Sequence, residues 1–508
     1  MAGRPAPGDA DERARTIGRN ATFSLIAQLT GAIFTAGLTV FLARRLGTGG
    51  FGVYSLALGI GGLGLLPSDF GISTAVARFV AEHRGDHAGV TRVVADGLKL
   101  KLIVSAAVSG LLFALSEPLA SAYGTHALTW PIRGVAIALF GQSLMMLSSV
   151  FVAMRRVDVQ LRTALCESSV EVTATIALVL AGAGVTGAAF GRAAGYLIAA
   201  ALTLALIVRM IGPDVLPRSA RMGEHTRRIA TYAGVILITD GAFTLFNQVD
   251  VLIIGAYLGA GAVGFFSGPL RLIAFLGYPG GAIATGVSPL LARGPLQEPD
   301  KPAFLSALRL VLILQGAFTA FVLGWSDLIV RVTLGSHYTK SVDVLRALAP
   351  FVFMLGFGPL VSAAVNYLGE ARRRVPVAIA TAIVNLVVDL LLVPRIGVVG
   401  GSVGTDVAYG IYAPAHLYIC QRALALDLRA PARTLVRTLA ATGASAGVLL
   451  ACGDSLSEPW WIALGGVAAV ATYGGVLWLT RELTPREAVG LLRQLRGMRR
   501  AQPAGADS

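Results

Sequence analysis

The 508-residue sequence is poor in charge, cysteine and histidine. Only 14% of its residues are Asp, Glu, Lys or Arg, roughly half the share usual in soluble domains, which leaves too little polar surface to solvate a chain of this length. Three cysteines (Cys166, Cys420 and Cys452), odd in number and scattered through apolar segments, support neither a disulfide framework nor a CxxC metal or redox site. The six histidines are equally dispersed, and no P-loop, HExxH or nucleophile-elbow motif supports ATP hydrolysis or a standard hydrolytic centre. One G-x-G-x-x-G does occur, at Gly59, Gly61 and Gly64 in "GIGGLG". It lies inside an apolar run with no strand before it, so it reads as helix packing rather than dinucleotide binding.

What is present is apolar length. Hydrophobic residues make up 55% of the chain and the mean hydropathy is +0.71, the composition of an integral membrane protein. Fourteen runs of about 20 residues, the first over 21–43 and the last over 459–480, are each long enough to cross a bilayer core as a helix. The expected fold is therefore all-α, with the lipid bilayer as solvent. The net charge of +14 does not point to nucleic acid, because the basic residues punctuate apolar runs instead of forming soluble patches. With the N-terminus inside, 33 of the 42 Lys and Arg residues fall in cytoplasmic segments and 7 in outer loops, which places both termini in the cytoplasm. The C-terminal "TPREAVGLLRQLRGMRR" reads either as an amphipathic helix on the anionic inner leaflet or as a solvated tail.

The chain also repeats. "LGTGGFGVYS" (Leu46 to Ser55) recurs as "LGAGAVGFFS" (Leu258 to Ser267) at an offset of 212, and Pro67 recurs as Pro279 at the same offset. "GVTGAAFGRAAGY" (Gly184 to Tyr196) recurs as "GVVGGSVGTDVAY" (Gly397 to Tyr409) at 213. Spans 1–6 thus correspond to spans 7–12. An even number of spans per repeat relates the halves by a pseudo-two-fold along the membrane normal, giving two six-helix lobes about a central cavity. The expected organisation is a cytoplasmic tail (1–20), an N-lobe (21–211), a basic linker (212–228), a C-lobe (229–421), two extra helices (422–480) and a basic tail (481–508). Pro67 in span 2, and Pro269, Pro279 and Pro289 in span 8, are expected to kink those two helices.

These features resemble the multidrug, oligosaccharidyl-lipid and polysaccharide exporter superfamily, and within it the bacterial polysaccharide and O-antigen flippases, which are related to lipid II flippases. The resemblance is carried by "LARRLGTGGFGVYSLALGIGGL", "NQVDVLIIGAYLGAGAVGFFSGPLRLI" and "NLVVDLLLVPRIGVVGGSVGT", and it extends from Asn20 to Leu479. It implies a secondary transporter in the bacterial cytoplasmic membrane that flips a polyprenyl-pyrophosphate-linked glycan outward by alternating access, coupled to an ion gradient or to the membrane potential. Partners in that role would be a glycan polymerase or glycosyltransferases. Fourteen spans suit the lipid-linked sugar branches; a drug exporter of the same fold is the nearest rival, although Ala21 to Ala43 lacks the acidic residue many such exporters carry in helix 1. A membrane glycan polymerase or ligase is the other alternative, but the longest outer loop, 117–130, offers only Glu117 and His126 as titratable groups.

Ionisable residues near the bilayer centre cost about 2.5 to 3.5 kcal/mol on insertion scales, so those retained there mark a cavity or a partner. They are Asp69, Glu167, Glu171, Arg192, Asp240, Asp250, Arg271, Asp389 and Asp406. Asn385 and Asp389 share a helix face in span 11, with Asp250 in span 7 and Thr405 in span 12. The resemblance to a lipid II flippase implies a coupling-ion site for Na⁺ or H⁺ at Asp250, Asn385, Asp389, Gly401 and Thr405, while a purely structural pair of acids is the other reading. Besides that ion no cofactor is expected. For an anionic head group in a cationic cavity, Arg271 and Arg192 are the candidate ligands, since a guanidinium offers a planar donor fork. Arg192 can alternatively pair with Glu171. Arg78 at the inner mouth and Arg45 at the outer mouth are further candidates, with interfacial anchoring as the alternative for both.

Overall fold

The computed structural model describes residues 7–83, 85–154, 156–216, 223–292, 298–453 and 459–482, and among these it is helical with no strand. The long helices are α1 (Pro7–Asp69), α2 (Ile72–Glu82), α3 (His87–Ala114), α4 (Thr129–Met145), α5 (Val157–Leu178), α6 (Gly184–Ile211) and α7 (Glu224–Leu258). They continue with α8 (Ala260–Ala274), α9 (Tyr278–Val287), α10 (Lys301–Gly324), α11 (Ala349–Leu355), α12 (Phe357–Tyr367), α13 (Arg374–Ile396), α14 (Val399–Leu424), α15 (Arg429–Cys452) and α16 (Pro459–Leu479). The expected amphipathic tail over 484–500 lies outside the described residues, as do the side chains of the N-terminal tail and of Asp240.

Ten helical stretches among the described residues are long and apolar enough to cross a membrane. Two of them, Thr30–Glu82 with 53 residues and Asp158–Ile211 with 54, are about twice the length one crossing needs. Each is broken by glycine. Gly47 (φ 66°) interrupts α1, and Gly182 (φ 92°) and Gly184 (φ 52°) separate α5 from α6, in backbone conformations that only glycine adopts without strain. Thr244–Leu258 is a shorter apolar helix, and Val399–Leu424 is not among the ten stretches.

Membrane solvation shows in which face of each helix is buried. Along α15 the buried positions are Thr434, Thr438, Ala441, Thr442, Ser445, Ala446 and Leu449, mostly small or hydroxylated, while Val436, Leu439 and Leu450 point outward. This inverted pattern suits helices that pack through small residues and hydrogen bonds rather than by excluding water. Thr442 donates to the Gly316 carbonyl (3.0 Å) and Ser445 to the Ala469 carbonyl (2.9 Å), tying α15 to α10 and α16.

The duplication is present in the backbone. Gly47 (φ 66°, ψ −178°) and Gly259 (φ 81°, ψ 171°) adopt one conformation, and Gly184 (φ 52°, ψ −134°) and Gly397 (φ 71°, ψ −147°) another. The expected kinks also occur. Helix α1 ends two residues after Pro67, where Phe70 (φ 51°) and Gly71 (φ 70°) turn the chain into α2. Span 8 is broken into α8, which contains Pro269, and α9, with Pro279 in its first turn, before a 3₁₀ turn at Ser288–Leu291 that holds Pro289.

Helix α1 is the hub of the seam between the halves, packing on α3, α4 and α5 on one side and on α7 and α8 on the other. The "GIGGLG" glycines sit here. Gly61 and Gly64 accommodate Val135 and Leu139 of α4, whereas Gly59 and Gly62 accommodate Val251 and Gln248 of α7. The fingerprint is a two-sided packing surface. At the far end of the seam, the start of α7 docks on α2 and α3: Arg228 pairs with Glu82 at 2.8 Å, and the His225 N–H donates to Asp96 at 3.0 Å.

Candidate functional site

Two polar sites lie within the helical bundle. The first unites all five residues of the sequence-predicted ion cluster. Asn385 and Asp389, one turn apart on α13, face Asp250 on α7 and Thr405 on α14; the four are between 0% and 3% exposed. The Asn385 amide donates to Asp250 Oδ1 at 2.8 Å. The Thr405 hydroxyl lies 3.0 Å from Asp250 Oδ2 and 3.1 Å from the Gly401 carbonyl, so its one proton has two acceptors.

The cluster depends on Gly404. A Cβ there would overlap Asp389 Oδ1 and approach the Asn385 amide nitrogen at 3.1 Å, so only glycine lets α14 close on the carboxyl. The unusual member is Asp389. Neither of its oxygens, nor Asn385 Oδ1, receives a hydrogen bond from a donor among the described residues, although all three are buried; the Asp389 carboxyl lies against that of Asp250, to which it can bond only by sharing a proton. Orphaned buried oxygens are costly and are usually matched by a proton, an ion or water. The repeat counterparts in the first half are Leu38, Val172, Ile176 and Arg192, so this cluster has no equivalent there.

The second site is a cavity of about 840 Å³ at the seam, lined by both segments of α1 and by α4, α5, α6, α7, α8 and α9. It contains Arg192 from the first half and Arg271 from the second. Arg192 belongs to "GRAAG", in which Gly191 and Gly195 press α6 onto α5 at Thr175 and Glu171. That close approach delivers the guanidinium to Glu171, with Nη1 2.6 Å from Oε1, while Nη2 donates to the Tyr196 hydroxyl at 3.1 Å. Arg271 has no carboxylate within ion-pair distance among the described residues and instead sits near the rings of Phe51 (5.7 Å) and Tyr54 (5.8 Å).

The cavity is not cationic as expected from the sequence. Glu167 and Glu171 line it together with the two arginines, so its formal charges balance. The paired-with-Glu171 reading of Arg192 is the one observed. Arg78 and Arg45 lie outside the lining: Arg78 is half-exposed, paired with Glu82 at 3.1 Å and stacked over Tyr232, and Arg45 is exposed on the Gly47 side. Its neighbour Arg44 donates to the carbonyls of Thr333 (2.9 Å) and Val332.

Sequence reasoning missed two features. It counted Lys101 among the inner-loop charges, whereas Lys101 is fully buried and forms an ion pair with Asp69, with Ser73 bridging the two (2.6 Å to Asp69 Oδ1, 3.0 Å to Nζ). The available signal was an intramembrane Asp with no assigned partner. It also overlooked Gln248, whose carboxamide fills the notch at Gly62 and reaches the cavity wall; the glycine spacing in α1 was its signature.

A membrane-spanning, all-helical bundle with a polar cavity between duplicated halves defines the class as a multi-pass membrane transporter. The chain belongs to the polysaccharide biosynthesis protein family, whose model matches residues 17–293. It is similar to a putative O-antigen transporter of Shigella flexneri, with 20% identity over 399 residues covering 77% of this chain and 94% of that protein. It is also similar to a probable low-salt glycan biosynthesis flippase, Agl15, of Haloferax volcanii, with 22% identity over 395 residues (76% and 80%). In structure it matches the lipid II flippase MurJ in an inward closed conformation, with a TM-score of 0.75 at 13% identity, covering 91% of this chain and 100% of that one. That likeness establishes the fold.

Proposed function

We propose that this protein is a secondary transporter that moves a polyprenyl-pyrophosphate-linked oligosaccharide from the inner to the outer leaflet of a bacterial cytoplasmic membrane, for assembly of a surface polysaccharide. The observation that carries this reading is the meeting of Arg192 and Arg271, from opposite halves, in one cavity of about 840 Å³. A volume of that order holds a few sugar rings and a diphosphate while the lipid tail stays in the bilayer. The names of the relatives point to the same cargo class. In this reading the basic inner loops hold both termini in the cytoplasm. Glycosyltransferases would build the head group on that side, and a polymerase would consume it on the other.

The coupling ion is assigned to the Asp250–Asn385–Asp389–Thr405 cluster. Its donors are all oxygen, which suits a hard cation such as Na⁺, and the carboxyls suit a proton equally. The buried oxygens of Asp389 and Asn385 that meet no donor support this assignment. Binding in this half alone would bias the rocking of one lobe against the other.

The test is mass spectrometry of polyprenyl-linked sugars, with a sidedness probe, in cells lacking the gene. Lipid-linked units accumulating on the inner face together with loss of surface polymer are expected. Accumulation on the outer face would instead indicate a polymerase. Unchanged lipids and polymer would overturn the reading and favour export of another solute.

A further inference from the structure

The charges of the cavity are matched before any anion enters. Arg192 is held by Glu171 at 2.6 Å, whereas Glu167, one turn earlier on the same face of α5, accepts from the Ser168 hydroxyl at 3.0 Å, lies against the Glu171 carboxyl, and has no cation within ion-pair reach among the described residues. Glu167 is half-buried on the cavity wall and Glu171 is 8% exposed. The charged and titratable groups lining the cavity with them are Arg192 and Tyr196 on α6, Tyr54 on α1, Arg271 on α8 and Tyr278 on α9.

A diphosphate head carries about two negative charges near neutral pH, comparable to a phosphorylated side chain. Delivered here, it leaves two carboxylates and the diphosphate facing two arginines. Like charges a few Å apart in a partly desolvated site repel by several kcal/mol at an effective dielectric of about 20. Arg192 cannot relieve this by turning to the phosphate, because it would abandon Glu171 and leave a second carboxylate bare. The carboxylate with least to lose by neutralisation is Glu167, since its protonation breaks no ion pair.

We infer that Glu167 is a proton-acceptor site linked to the head group: binding of a diphosphate-linked lipid draws one proton from water onto the Glu167 carboxylate, while Arg192 is shared between Glu171 and the phosphate. This rests on the flippase reading and adds to it a proton carried with the substrate, in the other half of the molecule from the Asp250–Asp389 cluster, whose four side chains do not line the cavity. No bond other than the new O–H forms, and release of the head returns the proton. Protonation also turns Glu167 into a donor able to bond a phosphate or sugar oxygen.

The experiment uses the full-length protein in nanodiscs and farnesyl pyrophosphate as the probe. Binding is measured by calorimetry near pH 8 in two buffers of different ionisation enthalpy, which counts the protons taken up. Wild type is expected to take up more protons than Glu167→Gln, by a difference approaching one, and to lose affinity as the pH is raised toward 9. Glu167→Gln, permanently neutral, should bind more tightly than wild type at pH 8 with a flatter pH profile, and Glu167→Asp should retain the uptake. Equal proton counts in wild type and Glu167→Gln would overturn the inference while leaving the flippase reading intact. So would loss of binding in Glu167→Gln alone, which would make the carboxylate a direct contact. Absence of probe binding in wild type would count against the flippase reading itself, and the inference with it.

Discussion

Gly52 and Gly264, 212 positions apart and equivalent in the repeat, face each other across the seam between the two halves. A Cβ at Gly52 would overlap the Ala260 carbonyl, and one at Gly264 would overlap the Thr48 carbonyl. Thr48 and Ala260 are themselves 212 apart, so the contact is reciprocal, as a two-fold relation requires. The ten-residue motif that announces the duplication is therefore one of the places where the copies touch.

Backbone-to-backbone contact of this kind leaves no room for repacking. Gly52→Val or Gly264→Val should cost about 1–3 kcal/mol or more by overpacking and hold the seam apart at the Gly47 end. Lowered thermal stability of the purified protein together with lost glycan export is the expected outcome. Crosslinking between cysteines placed on α1 and α8 should become slower in the same variants. Unchanged crosslinking would show that the seam closes without the glycines.

The ion cluster can be disturbed without altering any proposed ligand. Gly404→Ala puts a methyl where Asp389 Oδ1 lies, so it should displace the carboxyl and reduce export as severely as Asp389→Asn, by at least about tenfold. Both variants should remain folded, because no donor among the described residues bonds the carboxyl they disturb, so none is left unpaired. Export in membrane vesicles against imposed Na⁺ and pH gradients is the measurement. Wild-type rates in Asp389→Asn would remove the cluster from coupling.

Lys101 and Asp69 form a buried ion pair, and removing one partner strands the other. Lys101→Met should cost about 3–5 kcal/mol through the unpaired Asp69, whereas Lys101→Met combined with Asp69→Leu should recover most of that loss. Thermal unfolding in detergent of the two single variants and the double reads this directly as a coupling energy. Additive losses would mean that the pair is not an energetic unit.

The fold was legible because a bilayer imposes a simple code: long apolar runs, basic loops on one side, and glycine and proline where helices break. Gly47, Gly184, Gly259 and Gly397 all occupy left-handed backbone conformations where the repeat places them. The meeting of Asp250, Asn385, Asp389 and Thr405 was legible too, since Asn385 and Asp389 are rare polar residues at helical spacing. The cavity was not. Its balance of charge depends on which carboxylates face the arginines, and an i, i+4 spacing on α5 does not reveal whether Glu167 and Glu171 face the cavity or a neighbouring helix. Lys101 was missed for a related reason: a lysine near the end of a span reads as a loop charge until a partner such as Asp69 is brought to it from a different helix.

The last two helices are clamped at one end by a carboxylate whose ionisation makes that end sensitive to acid. Glu482, just beyond α16, accepts from Thr434 (2.7 Å) and pairs with Arg437 (2.8 Å) on α15 and with Arg309 (2.8 Å) on α10. Desolvation pushes its carboxyl upward, but the Thr434, Arg437 and Arg309 bonds outweigh this and hold it below the usual glutamate range. A depressed carboxylate stabilises the folded state above its unfolded value, about pH 4.3, and that contribution disappears as the pH falls through the folded value. Docking of α15 and α16 should accordingly be firm at pH 7 and loosen as the pH drops below about 4.3. The protection of α16 amides, taken relative to the intrinsic exchange rate at each pH, should fall over that interval in wild type, whereas Glu482→Gln should be less protected at pH 7 and show little further loss. The same acid response in both proteins would remove Glu482 as its origin.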